Sequence, residues 1–105
     1  MLKRKFHGHL YEVRFVKSIR SGRDGKKVYG DCSPPTVPNR RIRLLKNLSD
    51  RELGYNAIHE ALHACGWWAD ESWVEETASD LAQFLLEDLG FRRHCPGCQC
   101  PEHEL

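Results

Sequence analysis

Residues 49–66 read SDRELGYNAIHEALHACG, and how this stretch folds decides the architecture. Ser49 and Glu52 have capping-box spacing. The Ser hydroxyl accepts from a free backbone N–H while the Glu carboxylate reaches back. Leu53, Ala57, Ile58, Ala61, Leu62 and Cys65 recur at the i, i+3, i+4 spacing of one helix face, and Gly66 supplies a stop. The spacing predicts a helix over 50–65. Downstream, Ser72-Trp73-Val74-Glu75 repeats the capping pattern. It predicts a second helix to Leu89 with Val74, Ala78, Leu81, Leu85 and Leu89 inward, ended by Gly90. The short connection Gly66 to Glu71 makes the two helices packing neighbours.

Upstream the pattern is that of strands. HLYEVRFVK, residues 9–17, is rich in β-branched and aromatic residues, with Leu10, Val13 and Phe15 as its apolar set. SGRDGKK, 21–27, reads as a hairpin loop, and VYGDC, 28–32, as a short second strand. The three prolines of SPPTVPN, 33–39, exclude a central strand and predict an extended surface loop. RRIRLLK, 40–46, is a third strand with Ile42 and Leu44 on one face. The expected fold class is α+β: a small, mainly antiparallel sheet followed by two packed helices that carry a metal site. The domain is expected over 1–93, with a Cys/His-rich tail at 94–105.

With 105 residues, 40% of them hydrophobic and ten aromatic, the chain suits one small folded domain. A net charge of +1 exerts no global pull toward DNA, RNA or anionic lipid. The basic residues nevertheless lean to the first half and the acidic ones gather between Asp50 and Asp88, which gives a nucleic-acid role only weak support. No apolar run approaches a membrane span, and the N-terminus lacks the apolar region of a signal peptide, so the expected setting is the cytoplasm. Five cysteines, three of them within the last eleven residues, suit reduced thiols or metal ligands better than a disulfide framework.

The chemistry centres on His59, Glu60 and His63. Helix residues four apart lie one above the other, so His59 and His63 can aim their imidazoles at one cation while Glu60 projects toward a water beside it. This is the H-E-x-x-H pattern. Two histidines fall one short of a catalytic zinc's three protein ligands. On the second helix Glu76 and Asp80 are again four apart. Glu76 is assigned as third ligand, because Glu75 has the capping position. Asp80 is placed to accept the N–H of a ligating histidine, fixing its tautomer. Three features set the match apart from chance: the capped helix, histidines off the apolar stripe, and carboxylates at matching spacing on the next helix.

HEALH followed by ETASD resembles the gluzincin metallopeptidases, which carry H-E-x-x-H and a downstream E-x-x-x-D on the next helix; residues 55–90 bear the likeness. The YGDCSPP segment is also similar to small H-E-x-x-H proteins of phage and prophage genomes, for which the compartment is the host cytoplasm. The resemblance implies a minimal zincin-like fold and Zn2+ held by His59, His63 and Glu76. It also implies Glu60 as general base, Asp80 behind a histidine, and a peptide or protein substrate laid along a strand edge, for which RRIRLLK is the candidate. The leading expectation is therefore a zinc-dependent peptidase. The rivals are a non-catalytic zinc-stabilised binding protein and a zinc-dependent hydrolase of another bond. For the oxyanion stabiliser, His94, Tyr55 and the arginines all stay open.

In the tail, Cys95, Cys98, Cys100 and His103 form a candidate second zinc site, with Pro96-Gly97 as its turn. A tail thiolate is also a candidate for the open position of the first zinc, holding an enzyme latent. Cys65 reads as a buried inert thiol. Of Trp67 and Trp68, one is expected over the core and the other in the cleft. His7 and His9 read as a solvated N-terminus.

Overall fold

The computed structural model describes residues 2–20 and 28–92. A four-stranded sheet, β1 (Leu2–Phe6), β2 (His9–Val16), β3 (Gly30–Cys32) and β4 (Arg41–Leu45), precedes two helices, α1 (Asp50–Cys65) and α2 (Glu71–Ala82). A π-helical segment, Gln83–Asp88, continues α2. The fold is α+β, as its segment order requires.

The strands lie in the order β1-β2-β4-β3. β1 and β2 pair antiparallel, β2 and β4 parallel, β3 and β4 antiparallel. β1 has no counterpart in the sequence reading, because LKRKF holds three cations and little apolar signal. A two-residue turn creates it. His7 and Gly8 both have positive φ, 48° and 82°, the backbone that joins tight antiparallel hairpins. His7 therefore belongs to a turn and His9 to a strand.

The face of β2 also corrects the sequence reading. Tyr11 is fully buried and Leu10 is 45% exposed, so the inward set is Tyr11, Val13 and Phe15. The Tyr11 hydroxyl makes this burial tolerable by donating to the Ser33 carbonyl at 3.0 Å. Tyr11, Ile42, Leu44, Leu53 and Ala64 form the core, with Phe6, Val13, Cys32, Leu48 and Ala57 against it. Ile42 and Leu44 share the inward face of β4, as the alternation predicts.

α1 has its predicted cap: the Glu52 N–H donates to Ser49 Oγ at 3.2 Å, and the Ser49 N–H to Glu52 Oε1 at 3.3 Å. Its most buried line is Leu53, Glu60 and Ala64, so a carboxylate lies on the core side of the helix. α2 departs from expectation at its start. Asp70, not Ser72, is the N-cap, and its carboxylate accepts from the Trp73 N–H at 3.3 Å. Val74, Ala78 and Ala82 are its buried residues. Leu81, near the end of α2, and Leu89, just past the π-helical turns, are exposed where the sequence reading places them inward. No helix among the described residues is long and apolar enough to cross a membrane.

Candidate metal centre

α1 brings His59 and His63 together because they stand four apart on one face. Their Nε2 atoms are 3.1 Å apart, with ring centroids at 4.8 Å. Ligand atoms of His59, Glu60 and His63 all lie within 4.8 Å of one another, a group that can hold a metal ion. They line a cleft of about 450 Å³, bounded by Gly30, Asp31 and Cys32 of β3 on one side and by Trp67 and Glu71 on the other.

A residue absent from the sequence reading closes the group. The carboxylate of Glu71 spans both imidazoles, Oε1 at 3.1 Å from His59 Nε2 and Oε2 at 3.2 Å from His63 Nε2. Glu71 is the first residue of α2, directly after its Asp70 cap. At about 100° per residue, Glu71 is in line with the inward face of Val74, Ala78 and Ala82, and Glu75 follows it one turn on. Glu76 sits about 140° around from Glu71 on the same count and is exposed, as is Asp80. The carboxylate that stands against the two histidines is Glu71, where the sequence reading expects Glu76. Asp80 does not back His59 either, since His59 Nδ1 is buried with no hydrogen-bond partner. The missed signal was Asp70, an N-cap as good as Ser72; starting the helix there makes Glu71 its first residue, in phase with Val74 and Ala78 and so on the side that faces α1.

Glu60 is 6% exposed. It approaches β3 so closely that a Cβ at Gly30 would lie 3.2 Å from Glu60 Oε2. Burial first, then the carboxylates of Asp31 and Glu71, push its carboxyl up to about 8. No lysine or arginine forms an ion pair with it among the described residues. His59 is held below its usual value by burial and then by His63, against the pull of Glu71 and Glu75. It is thereby kept as the neutral imidazole that a metal requires.

The three close contacts among His59, His63 and Glu71 test whether an ion fits. Two Nε2 protons can satisfy the two contacts to Glu71, but then the two nitrogens meet as donor against donor. A tetrahedral metal ion with bonds of about 2.0–2.1 Å sets its ligand atoms about 3.3 Å apart, close to the separation of the two nitrogens and to the contact each makes with its own Glu71 oxygen. The donor set fits a divalent metal ion, and a cation here also opposes the crowding of Glu60, Glu71 and Asp31.

Tyr55 lies one turn before His59, with ring centroids 5.7 Å apart. Trp67 lines the cleft, 6.0 Å from the His63 ring, whereas Trp68 is 85% exposed and covers no core. Cys65 is half-buried and free. Cys32, also free, has its thiol pushed up to about 12 by burial and then by Glu60. His94 and the tail residues Cys95, Cys98, Cys100 and His103, with the whole segment 94–105, fall outside the described residues. Compared with known proteins, the chain matches no family model, no curated protein and no solved structure.

Proposed function

We propose that the chain is a zinc-dependent peptidase in which His59, His63 and Glu71 hold the ion and Glu60 is the general base. The observation that carries this reading is the Glu71 carboxylate placed across both histidine Nε2 atoms, beside a buried Glu60 at the wall of an open cleft. With Glu71 as the ligand, the gluzincin likeness rests on H-E-x-x-H alone, because the exposed Glu76 and Asp80 do not meet the histidines.

Zinc held there by His59, His63 and Glu71 would acidify a water and polarise a scissile carbonyl. The chain's own groups do the rest. Glu60 takes the water's proton on its carboxylate and passes it to the departing amine. For that it must be ionised, and a divalent cation beside it draws its pKa down from the raised value. Glu71 holds both imidazoles from one carboxylate and would neutralise part of the ion's charge. Of the candidates for an oxyanion stabiliser, Tyr55 stands beside His59. β4 lies inside the sheet and has no free edge; β3 is the strand that borders the cleft, so an extended substrate would run along β3.

The experiment is zinc quantification on wild type and Glu60→Gln, paired with cleavage of a mixed peptide library. Equal zinc in both with hydrolysis only in wild type supports a peptidase. Zinc with no hydrolysis by either favours a zinc-stabilised binding protein, and hydrolysis of another bond in a substrate panel favours a different hydrolase. Absence of zinc from both removes the proposal.

A further inference from the structure

The described residues divide their charge by layer. Residues 2–20 and 28–46, the sheet and its connections, hold ten lysines and arginines against two carboxylates, Glu12 and Asp31, a net of +8. Residues 47–92, the helical layer, hold ten carboxylates against Arg51 and Arg92, a net of −8. The whole-chain charge of +1 conceals this dipole.

Strand alternation concentrates the positive layer on the sheet face turned away from α1. Lys3, Glu12 and Arg41 are register partners across β1, β2 and β4, and Arg14 lies beside Arg43. Like charges at paired positions destabilise a sheet; here Arg14 is drawn to Glu12 and Arg43 to Asp31. Among the described residues, Lys3, Lys5 and Arg41 stand in no ion pair. At one end of this face Lys3, Arg14, Arg40 and Arg41 surround a hollow of about 240 Å³ in which Glu12 is the sole carboxylate. Arg40 is fixed there by donating to the carbonyls of Leu10 at 3.2 Å, Pro35 at 3.2 Å and Val37 at 3.3 Å.

We infer that this basic sheet face binds the phosphate backbone of a duplex nucleic acid without reading its sequence. Its cations stand in rows on a broad surface, as a polyanion requires, and the acidic helical layer repels the same partner and orients the chain on it. The outward strand positions carry no aromatic ring on which unpaired bases could stack. They offer Leu10 as the one exposed large apolar side chain, too little to enter a bilayer. The site is separate from the metal cleft and does not depend on the peptidase reading.

The test is anisotropy of a labelled duplex of about 20 base pairs against the full chain, with salt varied. With roughly four phosphates engaged, affinity should be micromolar at about 50 mM salt and fall roughly 100-fold by about 200 mM. The double variant Lys3→Glu/Arg41→Glu should bind at least about 10-fold more weakly, with a shallower salt slope. A two-unit charge change on the opposite layer, Asp88→Lys, should change affinity by about twofold or less. Should the double variant melt early, Lys3→Gln and Lys5→Gln singly should each lower the salt slope by about one. No binding at about 50 mM salt, or a salt-insensitive affinity, overturns the inference. So does unchanged binding by the folded variants. Equal or tighter binding of a single strand of the same length overturns the duplex assignment, and stronger binding to phosphatidylserine vesicles replaces it with a membrane.

Discussion

Gly30 presents bare backbone to the Glu60 carboxylate: a Cβ there would lie 3.2 Å from Glu60 Oε2, 3.2 Å from Leu44 Cδ2 and 3.3 Å from the Arg43 carbonyl. Its neighbours would each have to give by a few tenths of an ångström, and the backbone carbonyl is the least able to. The softest response is displacement of Glu60. Gly30→Ala should therefore keep zinc yet lower peptide hydrolysis by about 10-fold, since small misplacements of a catalytic group carry large rate costs. Overpacking should cost about 1 kcal/mol. Metal content, melting temperature and kcat/KM on one preparation check this; unchanged hydrolysis would show that Glu60 does not act from the position it holds beside β3.

Glu71 and Glu76 separate two ways of closing the metal site. Glu71→Gln removes the carboxylate that spans His59 and His63, and zinc affinity should fall by at least about 100-fold, beyond the range typical of supporting residues. Glu76→Gln alters an exposed side chain on the other side of α2 and should leave affinity within about twofold. Competition against a chromophoric chelator measures both. The reverse order of effects would restore Glu76 as the ligand.

Most of the fold was legible because the signals were local. The Ser49–Glu52 box, the α1 spacing and the alternation of Ile42 and Leu44 each depend on a few neighbouring residues. His59, Glu60 and His63 could be placed together because helical geometry alone aligns them. What was not legible depended on choices between equal local signals. Asp70 and Ser72 are both good caps, and only the earlier start brings Glu71 into the helix, in phase with Val74 and Ala78. On β2, alternation through Val13 and Phe15 puts Tyr11 inward and Leu10 outward, but the partner that lets a phenol be buried there is not local. The Ser33 carbonyl that receives the Tyr11 hydroxyl comes from a distant loop. β1 was hidden because its pairing with β2 is set by the His7-Gly8 turn, not by apolar alternation of its own.

The start of α2 can be checked directly. Asp70→Ala removes the side chain that accepts the Trp73 N–H and should cost about 1 kcal/mol. Because Glu71 is the next residue, it should also weaken zinc binding. Ser72→Ala, within the first turn of the helix and without a capping bond, should change stability by about 0.5 kcal/mol or less. Urea unfolding of the two variants decides between the caps, and a larger loss from Ser72→Ala would place the helix start two residues later.

Glu60 makes the stability of the metal-free protein depend on pH in a direction opposite to that of a paired carboxylate. Its folded pKa is raised from 4.5 to about 8, by burial first and then by Asp31 and Glu71. Between those values the folded state holds a proton that the unfolded state has released. Unfolding then releases protons, so stability falls as pH rises through the window. The effect is complete above about pH 8, absent below about pH 4, and on the order of a few kcal/mol at its upper limit. Chelator-treated wild type should melt at progressively lower temperature from about pH 5 to about pH 8, while Glu60→Gln, which cannot ionise there, should show a flatter profile. Zinc should flatten the wild-type profile as well, because a cation beside Glu60 stabilises its ionised form. Identical slopes for chelator-treated wild type and Glu60→Gln would mean that the carboxylate is already ionised without metal, and that its burial against Gly30 does not govern its charge.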